Sequence, residues 1–214
     1  NIALDIVAGS DYRERNEANL IAIGRSDLVG RLVKGEVGTP KVGVAATPQF
    51  SQGHIVDGLS VEAHDRLICS FDFGLSPACI ISRVSAMGYL DVLASFQGKN
   101  EGIKQLITRL IQPWLNSRRP IGGPPLIHTG DPNGVAREAS NSDETAVRTI
   151  LKMLGGTFQP GPVSWDDRRE PTHDALNRYI NNRPWVRIDR KECAGLIRAL
   201  DGGAHYAKDP SGTI

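Results

Sequence analysis

Arg66-Leu67-Ile68-Cys69-Ser70-Phe71-Asp72, then Phe73-Gly74-Leu75-Ser76-Pro77, then Ala78-Cys79-Ile80-Ile81-Ser82-Arg83-Val84 is the stretch that decides how this chain reads. The outer pieces are apolar runs of strand length, and the piece between them carries the Gly and Pro of a turn. Met87-Gly88 turns the chain again before a third run, Tyr89-Leu90-Asp91-Val92-Leu93-Ala94-Ser95-Phe96. Strands joined by such short turns pair antiparallel, so residues 66–96 predict a three-stranded meander.

Downstream the period changes. Ile103, Leu106, Ile107, Leu110, Ile111 and Trp114 recur at helical spacing, which predicts an amphipathic helix over 101–115 that Arg118-Arg119-Pro120 ends. Pro125-Leu126-Ile127-His128-Thr129-Gly130-Asp131 reads as a fourth strand. Ser142-Asp143-Glu144-Thr145 opens a helix with Ala146, Ile150, Leu151 and Leu154 on one face, and Gly155-Gly156 stops it. A short fifth strand is expected within 157–163, a helix over 169–181, an extended piece at Trp185 to Ile188 and a last helix over 193–200. Upstream, residues 19–34 hold a short helical pattern. Residues 42–58 are extended, and residues 1–45 read as a linker or tail preceding a domain over 46–214.

The element order is therefore β-β-β-α-β-α-β-α. Strand–helix–strand crossovers make parallel pairs and are right-handed. The expectation is an α/β fold, a mixed sheet flanked by helices. With an acid ending the first strand and another ending the fourth, this order resembles the ribonuclease H-like pattern.

Asp72 and Asp131 are the candidate catalytic and metal-binding residues. If their strands are parallel neighbours, both carboxylates reach the sheet edge where open α/β sheets place ligands. Hard divalent cations take oxygen ligands, and two such ions can clamp the attacking and leaving oxygens of a phosphodiester displacement. The plainer alternative is that each Asp forms a turn or caps a helix.

Composition limits the remaining readings. The 214 residues include 25 Lys+Arg against 24 Asp+Glu, a net charge of +1, so any nucleic-acid track is a local stripe. Arg118-Arg119, Arg168-Arg169 and Arg137 are candidates for phosphate contacts, with ordinary surface charge as the alternative. Arg190-Lys191 is a third such doublet. Cys69, Cys79 and Cys193 are too few and too spread for a disulfide framework or zinc cluster, which points to a reducing compartment. No apolar run approaches a membrane span, and no membrane partner is expected. The chain starts with Asn and shows no signal peptide, as expected of a piece of something longer. Asp72-Phe73-Gly74 matches a kinase tripeptide, but neither a His-Arg-Asp loop nor a Walker A loop accompanies it. His128 reads as a packed core residue and His173-Asp174 as a solvated helix pair. His54 and His205 read as loop residues without an evident partner.

Several segments resemble the large terminase subunit of tailed phages, specifically its C-terminal nuclease domain. Phe71-Asp72-Phe73-Gly74-Leu75-Ser76-Pro77-Ala78 is similar to the family's first nuclease strand and turn. Gly130-Asp131-Pro132-Asn133-Gly134-Val135-Ala136-Arg137, with Glu144-Thr145 and Ile150-Leu151, resembles its second acidic motif. Residues 28–38 look like the segment after the ATPase domain, and Pro48-Gln49-Phe50 with His54 like the nuclease entry. Ile188-Asp189, Cys193, Leu196-Ile197, Leu200, Gly202-Gly203 and Tyr206 continue the pattern.

The resemblance implies a metal-dependent endonuclease that cuts concatemeric viral DNA, with Mg²⁺ or Mn²⁺, two ions, held by Asp72 and Asp131. It implies double-stranded viral DNA, the portal or procapsid and the small terminase subunit as partners, in the host cytoplasm at the procapsid. The family's third acid falls in a later Ser-His-x-x-Asp-Ala type segment, so it is expected beyond residue 214, with Asp209 as a substitute. Thr172-His173-Asp174-Ala175 has the wrong spacing for that role. The competing readings are an actin-like or sugar-kinase-type nucleotide-binding domain, and a non-catalytic ribonuclease H-like module binding DNA or the portal.

Overall fold

A computed structural model of the chain describes residue 18 and residues 44–74, 76–132 and 145–206. Two compact units divide it, residues 49–199 and residues 1–48 with 200–214. In the latter, Val44–Ala45 (β1) pairs antiparallel with His205–Tyr206 (β11). The helix expected over 19–34 lies outside the described residues.

The 49–199 unit carries the sheet. After a 3₁₀ turn at Gln52–His54 and a two-residue strand, β2 (Ile55–Val56), the meander follows as β3 (Ile68–Asp72), β4 (Ala78–Val84) and β5 (Leu90–Gln97). Alternation places Cys69 and Phe71 on the core face while Asp72 ends exposed. Pairing runs from Ile68 opposite Ser82 to Asp72 opposite Ala78, and Ala78 in turn faces Gln97. The register slips once, beside Ile81 and Ser82, as in a β-bulge.

Helix α1 is continuous in direction but not in pitch: Ile103–Leu106 is α-helical, Ile107–Ile111 is a π turn, and Gln112–Arg118 is α-helical again. Pro113 accounts for the irregularity. Proline has no N–H for the carbonyl one turn back, and the Gln112 N–H reaches back five residues to the Ile107 carbonyl. Ile103, Leu106, Ile107, Ile111, Trp114 and Leu115 stay buried despite the extra residue.

The chain continues through β6 (Ile127–Gly130), α2 (Ala146–Leu154), β7 (Thr157–Pro160) and α3 (Trp165–Asn177). The Thr145 hydroxyl caps α2 by accepting from the Arg148 N–H at 3.2 Å, and Gly155 at φ +69° ends it. Last come β8 (Tyr179–Ile180), β9 (Arg183–Pro184), β10 (Val186–Asp189) and α4 (Ala194–Arg198). The helix expected over 169–181 starts and ends earlier. Ser164 caps it at 3.1 Å from the Asp167 N–H, Asp166 and Asp167 fill its first turn, and it stops at Asn177. Asn181 and Asn182, at φ +49° and +61°, then turn the β8–β9 hairpin.

The seven-stranded sheet has the order β2-β10-β5-β4-β3-β6-β7. The pairs β3·β6, β6·β7, β5·β10 and β10·β2 are parallel, and the meander is antiparallel. The first and fourth predicted strands are thus parallel neighbours. One face of the sheet packs on α1 and α2 through Leu67, Cys69, Phe71, Cys79, Ile81 and Leu93. Each of the Leu, Ile and Phe side chains among them, fully buried, contributes about 1.5–3 kcal/mol.

A buried ionic network ties three strands at the other end of the meander. The Asp91 carboxylate is fully buried and accepts from Arg83 Nη2 at 3.2 Å and from Arg187 Nε and Nη2 at 2.7 and 2.9 Å. Arg83 also pairs with Asp65, and the Arg187 guanidinium lies 4.4 Å from the Tyr89 ring centre. Two acids and two guanidiniums offset one another, so no unpaired charge is buried.

Candidate active site

Asp72 is the last residue of β3, and Asp131 directly follows β6. Because those strands are parallel and Phe71 lies opposite Gly130, the two acids leave the sheet side by side at one edge. They line one cleft of about 330 Å³ with Phe71, Thr129, Gly130, Gly161, Pro162 and Arg168. Asp72 is exposed, and the Asp131 side chain is about one-quarter exposed.

Glycine permits this arrangement. A Cβ on Gly130 would meet the Phe71 carbonyl oxygen, so the approach of β6 to β3 needs glycine just before Asp131. The Gly161 N–H donates to the Gly130 carbonyl at 2.8 Å, which brings residues 161 and 162 over the cleft. The Phe71 and Phe73 rings stack at 6.3 Å, and His128 lies under Phe71 at 5.9 Å.

Arg168, in the first turns of α3, enters from the β7 side. Its Nη1 lies 3.2 Å from Asp131 Oδ2, and its Nε donates to the Pro162 carbonyl at 2.8 Å. Of the other predicted phosphate contacts, the described ones do not line this cleft. Arg118 pairs with Glu192 at 2.9 Å, and Arg119 donates to the Gly123 and Pro124 carbonyls. Arg169 lies 3.5 Å from Asp166. Arg137 and Asp209 lie outside the described residues. His128 is buried, 2.7 Å from the Gly155 carbonyl, in keeping with a core role. His54 does have partners: it is fully buried against the Ser51 hydroxyl at 3.1 Å and the Leu176 carbonyl at 3.0 Å.

Beneath the cleft, Cys69 and Cys79 are buried in the core. Burial pushes the Cys79 thiol well up, while its hydrogen bond to Cys69 and the nearby His128 hold Cys69 down. Neither thiol reaches the cleft surface, so the chemistry available there is that of oxygen.

The donors lining the cleft are carboxylates, a hydroxyl and carbonyls, a set that suits a hard divalent cation. Among the described residues no group of three or more His, Cys, Asp or Glu could hold a metal ion. Two carboxylates are nevertheless enough for an ion that keeps water and takes oxygens from a phosphate substrate. No described helix is long and apolar enough to cross a membrane.

No protein-family model matches the chain, and no curated protein matches it in sequence. Solved structures do match in fold. The P22 large terminase nuclease domain aligns at TM-score 0.54 with 11% identity, over 79% of this chain and 82% of that one. A large terminase from a thermophilic bacteriophage aligns at 0.52 with 12% identity, over 77% of this chain and 41% of that one. The same thermophilic phage terminase in complex with ADP aligns at 0.52 with 14% identity, over 77% and 40%. This chain therefore spans less than half the length of the thermophilic phage protein. With β3 and β6 parallel neighbours in a mixed sheet and an acid at the end of each, the chain has the ribonuclease H-like fold of phage large terminase nuclease domains.

Proposed function

We propose that this chain is the nuclease domain of a phage DNA-packaging terminase, a divalent-metal-dependent endonuclease that cuts concatemeric viral DNA. The observation that carries this reading is the pair Asp72 and Asp131, set side by side by parallel β3 and β6 in one cleft of a terminase-nuclease fold. Both carboxylates would hold the metal, Mg²⁺ or Mn²⁺ as two ions. When bound, the metal supplies a nucleophilic hydroxide from water and neutralises charge developing on the phosphate.

The chain's own residues orient and enclose. β3 and β6 fix the acids on a rigid sheet, and the Gly161–Pro162 backbone walls the cleft on the β7 side. Arg168 brings the one cation of the described cleft within reach of a phosphate oxygen. The proposed substrate is double-stranded DNA. The portal or procapsid and the small terminase subunit are the proposed assembly partners, and the proposed location is at the procapsid in the host cytoplasm.

Plasmid cleavage tests the reading. The 214-residue chain, and a version extended at its C terminus to supply the expected third acid, are incubated with plasmid in Mg²⁺, Mn²⁺ or chelator. Metal-dependent nicking or linearisation by either is expected. Asp72→Asn and Asp131→Asn each abolish it while circular dichroism stays unchanged. Undiminished cutting by both variants refutes the assignment.

A further inference from the structure

The cleft holds a cation of its own on one of its two acids, and nothing in an acid-pair metal site calls for it. Arg168 Nη1 lies 3.2 Å from Asp131 Oδ2, while its Nε is pinned 2.8 Å from the Pro162 carbonyl. The guanidinium is thus aimed by the same Gly161–Pro162 segment that walls the cleft. The side chains are 38% and 24% exposed, so the contact is reachable from solvent.

Two physical facts make this contact displaceable. A cation in the first turns of a helix lies against the positive end of the helix dipole, so its place on α3 is not favoured by the helix itself. A partly exposed ion pair also contributes little on its own. Its electrostatic effect on the cleft is large all the same. Counting only the described lining residues, Asp72, Asp131 and Arg168 carry one net negative charge with Arg168 on Asp131, and the two acids carry two with Arg168 withdrawn. Affinity for hard cations follows the charge of the ligand set.

We propose that Arg168 is a positioning residue that guards Asp131: it weakens divalent-cation binding until a phosphate diester draws the guanidinium away. Guanidinium forms paired hydrogen bonds with phosphate oxygens as readily as with a carboxylate. Cation binding and DNA binding are then coupled, and each strengthens the other by the same factor. Metal would load onto the acids when DNA is in the cleft, which limits indiscriminate hydrolysis. This rests on the proposed nuclease reading, because it takes Asp131 as a metal ligand.

The test measures Mn²⁺ binding directly, by electron paramagnetic resonance of free Mn²⁺, on the full 214-residue chain. It is run with and without a short, cleavage-resistant phosphorothioate DNA duplex. In the unmodified chain the duplex is expected to tighten Mn²⁺ binding at least about fivefold, the lower end of typical coupling between sites. Arg168→Gln is expected to bind Mn²⁺ tightly without DNA and to lose that enhancement, whereas Arg168→Lys retains part of it. An Arg168→Gln protein that matches the unmodified chain in both measurements overturns the guard while leaving the metal site intact. Binding that persists in Asp72→Asn and Asp131→Asn, or is absent throughout, overturns the metal site and the guard together.

Discussion

Replacing Gly130 with alanine asks whether the acid pair depends on how closely β3 and β6 approach. A Cβ at this position would lie 2.5 Å from the Phe71 carbonyl oxygen, 3.3 Å from its carbon and 3.2 Å from Phe73 Cε2. The nearest of these is backbone, so no flexible side-chain end can yield. Reaching the 3.0–3.4 Å range found at the tight end of real Cβ contacts requires the strands to part by about 0.5–0.9 Å. Overpacking of this size costs about 1–3 kcal/mol. For a unit of roughly 150 residues, that lowers the melting temperature by about 2–12 °C.

The same displacement separates Asp131 from Asp72, since one follows Gly130 and the other follows Phe71. Misplacing catalytic groups by about 1 Å costs on the order of a hundredfold in rate. Gly130→Ala is therefore expected to remain folded and melt earlier and, on the proposed nuclease reading, to cut DNA about ten- to a hundredfold more slowly. Calorimetry and plasmid cleavage under saturating metal read both effects. A variant that melts and cuts like the unmodified chain would refute the claim that this close approach sets the site.

Asp91→Asn leaves buried Arg83 and partly exposed Arg187 with half of their countercharge, and it should destabilise by about 3–5 kcal/mol, read from urea unfolding. A loss below about 1 kcal/mol would mean that water reaches the network. Gly195→Ala, in α4 with nothing beyond its own helix backbone and chain neighbours within 4 Å of the new Cβ, should stabilise by about 0.4–1 kcal/mol. A drop in melting temperature there would show that the surface over α4 is occupied. The three thiols are buried, and burial, then Asp189, pushes Cys193 up to about 12. A disulfide reagent at neutral pH should leave the native chain unlabelled and modify all three sites in denaturant, and fast native labelling would contradict the core packing.

Much of the central sheet was legible because its signals are local. Residues 78–84 are an apolar run between two turns and form β4 over that same span, and the 103–115 periodicity gave α1 its buried face. The carboxylates were legible through position alone, each at the end of an apolar run. The pairing of Arg168 with Asp131 was not, because the partners lie 37 residues apart across a helix and a strand. Nor was the Asp91 network: charged residues within strands read as solvated until β10 arrives beside β5 to bury them. The strand β2 is two residues long and offers no alternation to detect. The β8–β9 hairpin did leave a signal, Asn181-Asn182, since asparagine tolerates the left-handed backbone of such turns.

The outermost strands of the sheet have a consequence for how copies behave when crowded. An unpaired strand edge is a template on which another chain can hydrogen-bond, the first step to aggregation. Here the sheet ends on one side in β2, only two residues long, and on the other in β7, four residues closed by Pro160, which has no N–H to offer. Both borders are too short to grow by strand addition. Association of this unit with its own copies or with other proteins is thereby steered to side-chain surfaces, where charge and shape can discriminate, and away from backbone pairing, which accepts almost any sequence.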